Sequence, residues 1–230
     1  MDDFFARSEA LLGTKAMETL RNTRVIIFGV GGVGSYTAEA LIRTGLTHLT
    51  LVDGDTVQPS NLNRQLPATR ATIGLSKVDA LKARLLEINP DAEIGALPIM
   101  ANGEWLKANG LNCDYVIDAI DSVNDKTDLI IYATRARVKI FSSMGAALRF
   151  DPTQVTTGEL MTIKGDALAK AVRARMKKLD LHPYKKVRCV YSTEQAQRCE
   201  TRGSLMQVTA VFGLTLASLV IQDITNQAKL

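Results

Sequence analysis

The residues best able to do chemistry begin with the run Gly29-Val30-Gly31-Gly32-Val33-Gly34, which follows the apolar stretch Val25-Ile26-Ile27-Phe28 and precedes a helical pattern. Glycines let a backbone approach phosphates closely. The helix that follows offers unpaired N–H groups and the positive end of its dipole. Asp53 comes 19 residues after Gly34, at the end of the next apolar run. A carboxylate there can accept hydrogen bonds from ribose hydroxyls. Gly29, Gly31, Gly32, Gly34 and Asp53 therefore predict a nucleotide site, but by themselves they suit a nicotinamide dinucleotide as well as ATP.

The residues that follow separate these two. Gly54-Asp55, Ser60-Asn61-Leu62-Asn63-Arg64-Gln65 and Gly74-Leu75-Ser76-Lys77 put an amide, a guanidinium and an ammonium within reach of the turn. Arg64 and Lys77 can neutralise a triphosphate and stabilise charge on a phosphoryl group in transfer. Asn61 can hold an α-phosphate or a ribose oxygen. A dinucleotide dehydrogenase needs none of this. Asp118-Ala119-Ile120-Asp121-Ser122 falls at the C-terminal end of a predicted strand, where open α/β sheets bind ligands. A carboxylate there can hold Mg²⁺ against phosphates. Each residue also has a plainer reading: a surface ion pair for Arg64, a solvated first-turn lysine for Lys77, a sheet-end acid for Asp118 and a helix N-cap for Asp121.

Positioning these residues requires alternating strands and helices. Strands are predicted at 25–28, 48–52, 93–99, 115–117 and 138–142, and helices at 33–44, 77–88, 103–108 and 125–137. Gly45 and Asn89-Pro90 supply stops for the helices that precede them. This order implies an α/β, Rossmann-like, mostly parallel sheet with helices on both faces. Beyond Met144 the pattern changes. Strands are predicted at 148–150, 160–163 and 186–191, a basic amphipathic helix at 166–179, a polar loop at 195–203 and an apolar helix from Leu205. The expectation is one domain continued by an antiparallel C-terminal half, with residues 1–145 as the nucleotide-binding half and 146–230 as a basic substrate and dimer half.

Composition narrows the function classes. The 230 residues are 46% hydrophobic and 23% charged, as in a soluble globular domain. The N-terminus, Met1-Asp2-Asp3-Phe4-Phe5, is acidic and unlike a secretory signal. The three cysteines, Cys113, Cys189 and Cys199, include no C-x-x-C pair. This predicts a reducing, cytoplasmic setting and no zinc. The apolar stretch 205–221 is broken by Gln207, Thr209, Thr215 and Ser218, so a core helix is expected rather than a stable membrane insertion. The net charge of +4 is unevenly spread: residues 135–202 hold 15 Lys/Arg against 6 Asp/Glu, a local excess of nine. Such clustering attracts polyanions, and nucleic acid is the predicted partner.

The motif set G-x-G-G-x-G, D-x-D, S-N-x-x-R-Q, a lysine thirteen residues past the arginine, and D-x-x-D resembles the ubiquitin-activating enzyme superfamily, the ThiF/MoeB/HesA-like group. The resemblance implies that Asp53 contacts ribose, that Asn61, Arg64 and Lys77 contact the phosphates, that Asp55 of the D-x-D belongs to the nucleotide-binding set, and that Asp121 carries Mg²⁺. It also implies a homodimer in which Arg7 reaches the opposite subunit's site. In this group a carboxylate attacks the α-phosphate of ATP, so the enzyme needs no nucleophile of its own.

Within the superfamily, Leu41-Ile42-Arg43-Thr44-Gly45, Asp118 to Val123, Asp151-Pro152-Thr153 and Cys189 to Glu194 look like the tRNA threonylcarbamoyladenosine dehydratases. That resemblance implies ATP-dependent cyclisation of a threonylcarbamoyl-modified adenosine in tRNA, with room for a sulfur-relay protein partner. Tyr184 and Tyr191 are candidates for base stacking, and Cys189 is read either as a buried thiol or as a thioester-forming one. The alternatives are adenylation of a ubiquitin-like sulfur-carrier protein and, more remotely, NAD(P)-dependent oxidoreduction.

Overall fold

Five short strands that alternate with helices build one edge and the centre of a seven-stranded sheet. The computed structural model describes residues 3–201 and 203–228. Arg202, counted in the basic excess, and Met1 and Asp2 of the acidic N-terminus lie outside them. The chain opens with helices α1 (Ala6–Leu12) and α2 (Thr14–Asn22), then β1 (Arg24–Phe28), α3 (Gly34–Thr44), β2 (His48–Val52), α4 (Lys77–Ile88), β3 (Glu93–Leu97), α5 (Gly103–Asn109), β4 (Tyr115–Asp118), α6 (Val123–Arg135) and β5 (Lys139–Ser143). It ends with β6 (Val155–Glu159), α7 (Ala167–Lys178), β7 (Arg188–Ser192) and α8 (Met206–Ala228).

The strand order is β3-β2-β1-β4-β5-β7-β6. Every pairing is parallel except β6 with β7. The predicted antiparallel half is thus a single antiparallel pair, because β7 itself runs parallel to β5. The strands expected at 148–150 and 160–163 do not form. Leu148 sits at φ 61°, outside the extended region, and Arg149 is buried with its side chain turned inward. Leu160 to Ile163 forms turns, and the strand between them is the polar Val155–Glu159 at the sheet edge.

Period-two alternation sends side chains to two cores. Val25 and Ile27 of β1 pack with Leu41, Leu81 and Phe212 under α3, α4 and α8, while Phe28 faces Val116, Ile130 and Val172 under α6 and α7. The apolar helix α8 is long and apolar enough to cross a bilayer by composition. It is instead a core helix, with Val208, Phe212, Leu216, Val220 and Ile224 buried at four-residue spacing. Gly213 lets it lie against α3: a Cβ there would meet the Val33 carbonyl oxygen at 2.3 Å. The Thr37 hydroxyl donates to the Gly213 carbonyl at 2.9 Å. This contact holds the far end of the chain against the helix that follows the glycine-rich turn.

Candidate active site

β1 is flanked by β2 on one side and β4 on the other, so the connections leaving β1 and β4 diverge at their C-terminal ends. Ligands bind in such crevices. A cleft of about 420 Å³ opens there, lined by Gly29, Gly31, Gly32, Asp53, Asp55, Asn61, Arg64, Lys77 and Asp121 among others. Nine of the residues singled out in the sequence thus meet at one opening. Gly34 and Arg7 do not line it. Gly34 lies beneath the turn, where a Cβ would fall 1.9 Å from the Gly29 carbonyl oxygen. Arg7 is exposed on α1.

The turn is built for close approach. Gly29 has φ +84°, and a Cβ on it would strike the Ala119 carbonyl oxygen at 2.7 Å. The Gly29 N–H donates to the Val52 carbonyl at 2.8 Å. One Asp53 oxygen accepts the Val30 N–H at 2.8 Å and the other accepts the Asp55 N–H at 2.9 Å. The carboxylate therefore ties the end of β2 to the turn, and each oxygen keeps a second lone pair for a ligand hydroxyl.

Lys77 begins α4 and is buried. Its ammonium donates to Asp55 at 2.7 Å, and its N–H donates to the Asp55 carbonyl at 3.0 Å. Asn61 is buried too; its Oδ1 accepts the Gln58 N–H at 3.0 Å, which leaves the Nδ2 donors for the cleft. The Arg64 guanidinium donates to the Ser60 carbonyl at 2.9 Å and to Asn63 at 2.8 Å. Gln65, a wall residue that sequence reasoning passed over, has a buried Oε1 with no partner among the described residues.

The D-x-x-D motif divides in two. Asp121 is exposed and lines the cleft with Asp125, from the first turn of α6. Asp118, considered above as a metal carboxylate, is fully buried and otherwise committed. It accepts from the Lys126 ammonium at 2.7 Å, the Ser142 hydroxyl at 2.6 Å and the Ile120 N–H at 3.2 Å. A carboxylate so engaged has no access to a ligand. Lys126 also donates to the Ser143 carbonyl at 2.9 Å. The sequence did not mark Lys126, because a lysine on a helix is usually solvated.

The wall opposite Asp53 consists of residues 143–147. The Met144 N–H donates to the Val190 carbonyl at 2.8 Å, and the Gly145 N–H to Asp166 at 3.1 Å. Asp166 caps α7 by accepting the Ala169 N–H at 2.8 Å, and Arg149 lies 3.8 Å from it.

Cys189 lies in β7, buried beside Val187 and away from the cleft lining. Burial pushes its thiol up to about 12, against a smaller opposing pull from Lys126, which disfavours the thiolate that a thioester-forming role needs. Cys113 is pushed up to about 12 as well, chiefly by burial. Among the described residues, no His or Cys lines the cleft, and no group of three or more His, Cys, Asp or Glu could hold a metal. The cleft offers N–H groups, an ammonium, a guanidinium and carboxylates. That set can bind phosphates and stabilise charge on them, leaving the substrate to supply the nucleophile.

Known proteins are similar to this chain in sequence and fold. The chain is 40% identical over 191 residues to a Bacillus subtilis (strain 168) protein named tRNA threonylcarbamoyladenosine dehydratase, an alignment that spans 83% of this chain and 74% of that one. A crystal structure of Escherichia coli tRNA N6-threonylcarbamoyladenosine dehydratase in complex with ATP matches with a TM-score of 0.93 at 34% identity, covering 98% of this chain and 95% of that one. An Escherichia coli (strain K12) molybdopterin-synthase adenylyltransferase is 36% identical over 58% of this chain and 53% of its own. The family model described as ThiF matches residues 5–230, and the chain belongs to the ThiF family.

Proposed function

We propose that this chain is an ATP-dependent tRNA threonylcarbamoyladenosine dehydratase: it activates the threonyl carboxylate of the modified adenosine and closes it into a ring. The observation that carries this reading is the convergence of the glycine turn, Asn61, Arg64, Lys77 and Asp121 on one cleft, in a chain that matches dehydratases of that name over most of its length. The molybdopterin-synthase adenylyltransferase match spans a smaller share of the chain, and sulfur-carrier adenylation is the weaker reading.

ATP supplies the adenylyl group. The substrate carboxylate oxygen bonds to the α-phosphorus and pyrophosphate leaves. An internal nitrogen of the substrate then attacks the activated carbonyl, loses its proton, and AMP departs with the former carboxylate oxygen. The net change in the nucleoside is the loss of one water.

The chain's own part is positioning and charge. The N–H groups of Gly31, Gly32 and Val33, just ahead of α3, face the phosphates, while those of Gly29 and Val30 are held by Val52 and Asp53. Lys77, released from its partner Asp55, and Arg64, turned from Asn63, neutralise charge that grows on the leaving pyrophosphate. Asp53 holds ribose. Asp121, with Asp125 lining the same cleft, suits one Mg²⁺, which is usually bound by one or two carboxylates plus substrate phosphates. Residues 1–145 serve the nucleotide, and 146–230 serve the tRNA and a dimer interface. Arg7, outside its own cleft, acts at the cleft of a second subunit. A sulfur-relay protein is a further partner in this reading.

The test is the appearance of AMP only when ATP, Mg²⁺ and threonylcarbamoyl-modified tRNA are all present.

A further inference from the structure

The structure sorts the basic excess of the C-terminal third into two groups. Arg149 is buried near Asp166, Arg175 pairs with Asp128 at 2.9 Å, and Lys139 pairs with Asp223. Arg173 donates to the Leu160 carbonyl at 2.9 Å. These serve the fold. Lys164, Lys170, Lys177, Lys178, Lys185, Lys186, Arg135 and Arg137 are exposed. Among the described residues none of them forms an ion pair.

Three of the second group, Lys170, Lys177 and Lys178, share one face of α7. α7 starts at the cleft, where Leu168 lines the opening and Asp166 holds Gly145. Lys170, Ala174, Lys177 and Lys178 are its exposed positions beyond the first turn, at the three- and four-residue spacing of one helix face. Twelve residues carry this face about 18 Å away from the cleft.

At the far end the chain doubles back, with the Leu181 N–H donating to the Met176 carbonyl at 2.9 Å. Tyr184, 70% exposed, then meets Arg135. The guanidinium carbon lies 5.7 Å from the ring centroid. Arg135 ends α6, which itself starts beside Ser122 in the cleft lining. Its thirteen residues place the Tyr184–Arg135 pair about 20 Å from the opening.

We infer that the exposed face of α7, from Lys170 to Lys178, is the docking track for the tRNA stem below the modified loop, with Tyr184 backed by Arg135 as its distal contact. The inference rests on the dehydratase reading for the identity of the RNA. An RNA helix is read through its phosphates and shape, and a row of unpaired lysines with a small alanine between them lets a backbone approach. The exposed tyrosine adds a stacking surface for a nucleobase or a sugar. The track begins at the cleft, so a stem lying along it delivers its loop to the adenylation site. An acidic protein docking on the same row would leave tRNA binding untouched, and the test below separates the two.

The experiment compares the wild type with Lys170→Ala/Lys177→Ala/Lys178→Ala, Tyr184→Ala and Tyr184→Phe. The readouts are affinity for modified tRNA at several salt concentrations, KM and kcat for tRNA, and affinity for ATP. The triple variant should bind tRNA at least tenfold more weakly and lose roughly two to three units of the log-affinity against log-salt slope. Its kcat at saturating tRNA and its ATP affinity should stay at the wild-type values. Tyr184→Ala should weaken binding several-fold, and Tyr184→Phe should restore it. Unchanged tRNA affinity and salt slope in the triple variant overturn the track. Track-dependent tRNA binding without AMP formation would instead sink the dehydratase reading and leave the track standing.

Discussion

Lys126 and Asp118 form an ion pair at 2.7 Å in which neither side chain is exposed. The pair ties together the segments that leave the neighbouring strands β4 and β5 at the edge of the cleft. Asp118 caps the Ile120 N–H next to Asp121, and Lys126 holds the Ser143 carbonyl at the start of the wall formed by residues 143–147. Removing one partner leaves an uncompensated buried charge, which costs about 3–5 kcal/mol. Lys126→Met should therefore lower the urea midpoint sharply. Lys126→Met combined with Asp118→Asn should recover part of that loss, because no bare charge remains. A double variant as unstable as the single would show that the charge is not what matters.

Gly34 is the second structural prediction. A methyl group there overlaps the Gly29 carbonyl, so the turn must shift off the helix. Gly34→Ala should cost roughly 1–3 kcal/mol of stability, the usual range for overpacking. It should also weaken ATP binding measured by calorimetry, although Gly34 does not line the cleft. ATP affinity equal to wild type would contradict the close-packed turn.

Much of this architecture was legible because its signals are local. Gly45 and Asn89-Pro90 end α3 and α4 where the sequence predicts, and buried parallel strands such as Val25 to Phe28 read as apolar runs. The failures have physical causes too. Helices α1 and α2 were not anticipated; Leu11 is 85% exposed, so α1 lacks a clear apolar face. β6 is a polar edge strand whose residues are all half-buried, which removes the alternation that marks a strand. Arg149 and Lys126 were hidden because their burial depends on Asp166, Glu194, Asp118 and Ser142, distant in sequence. Gln65 stood in the motif beside Arg64, and that position was the available signal.

Glu39 gives a pH prediction. Burial pushes its carboxyl up, but hydrogen bonds from Arg84 at 2.6 Å and Arg43 at 2.9 Å outweigh that, and the net shift is below the ordinary value near 4.5. A carboxylate depressed in the fold stabilises above its unfolded value and loses that contribution as pH falls through its folded value. Glu39→Gln should thus be less stable than wild type at pH 7. The gap should close as pH drops below about 4.5. A gap independent of pH between 7 and 3 would show that the two arginines contribute by packing alone.

Arg7 and Lys77 test the dimer. If Arg7 serves the neighbouring subunit, Arg7→Ala and Lys77→Ala are each impaired, Lys77→Ala by on the order of 10² in kcat, as for loss of a group that stabilises developing charge. Mixing the two inactive proteins should restore part of the activity, because one cleft in each mixed dimer is then complete. No recovery on mixing, with subunit exchange verified, would show that Arg7 does not act across the interface.

The central claim is that the cleft adenylates a tRNA-borne carboxylate. Its most direct measurement supplies α-labelled ATP, Mg²⁺ and threonylcarbamoyl-modified tRNA, then follows AMP release and the mass of the nucleoside after mild digestion. The account predicts AMP and pyrophosphate formed in equal amounts with a nucleoside lighter by one water, and both formed on the order of 10² more slowly with Lys77→Ala. AMP formation that ignores modified tRNA, or an unchanged nucleoside mass after full ATP turnover, would contradict it.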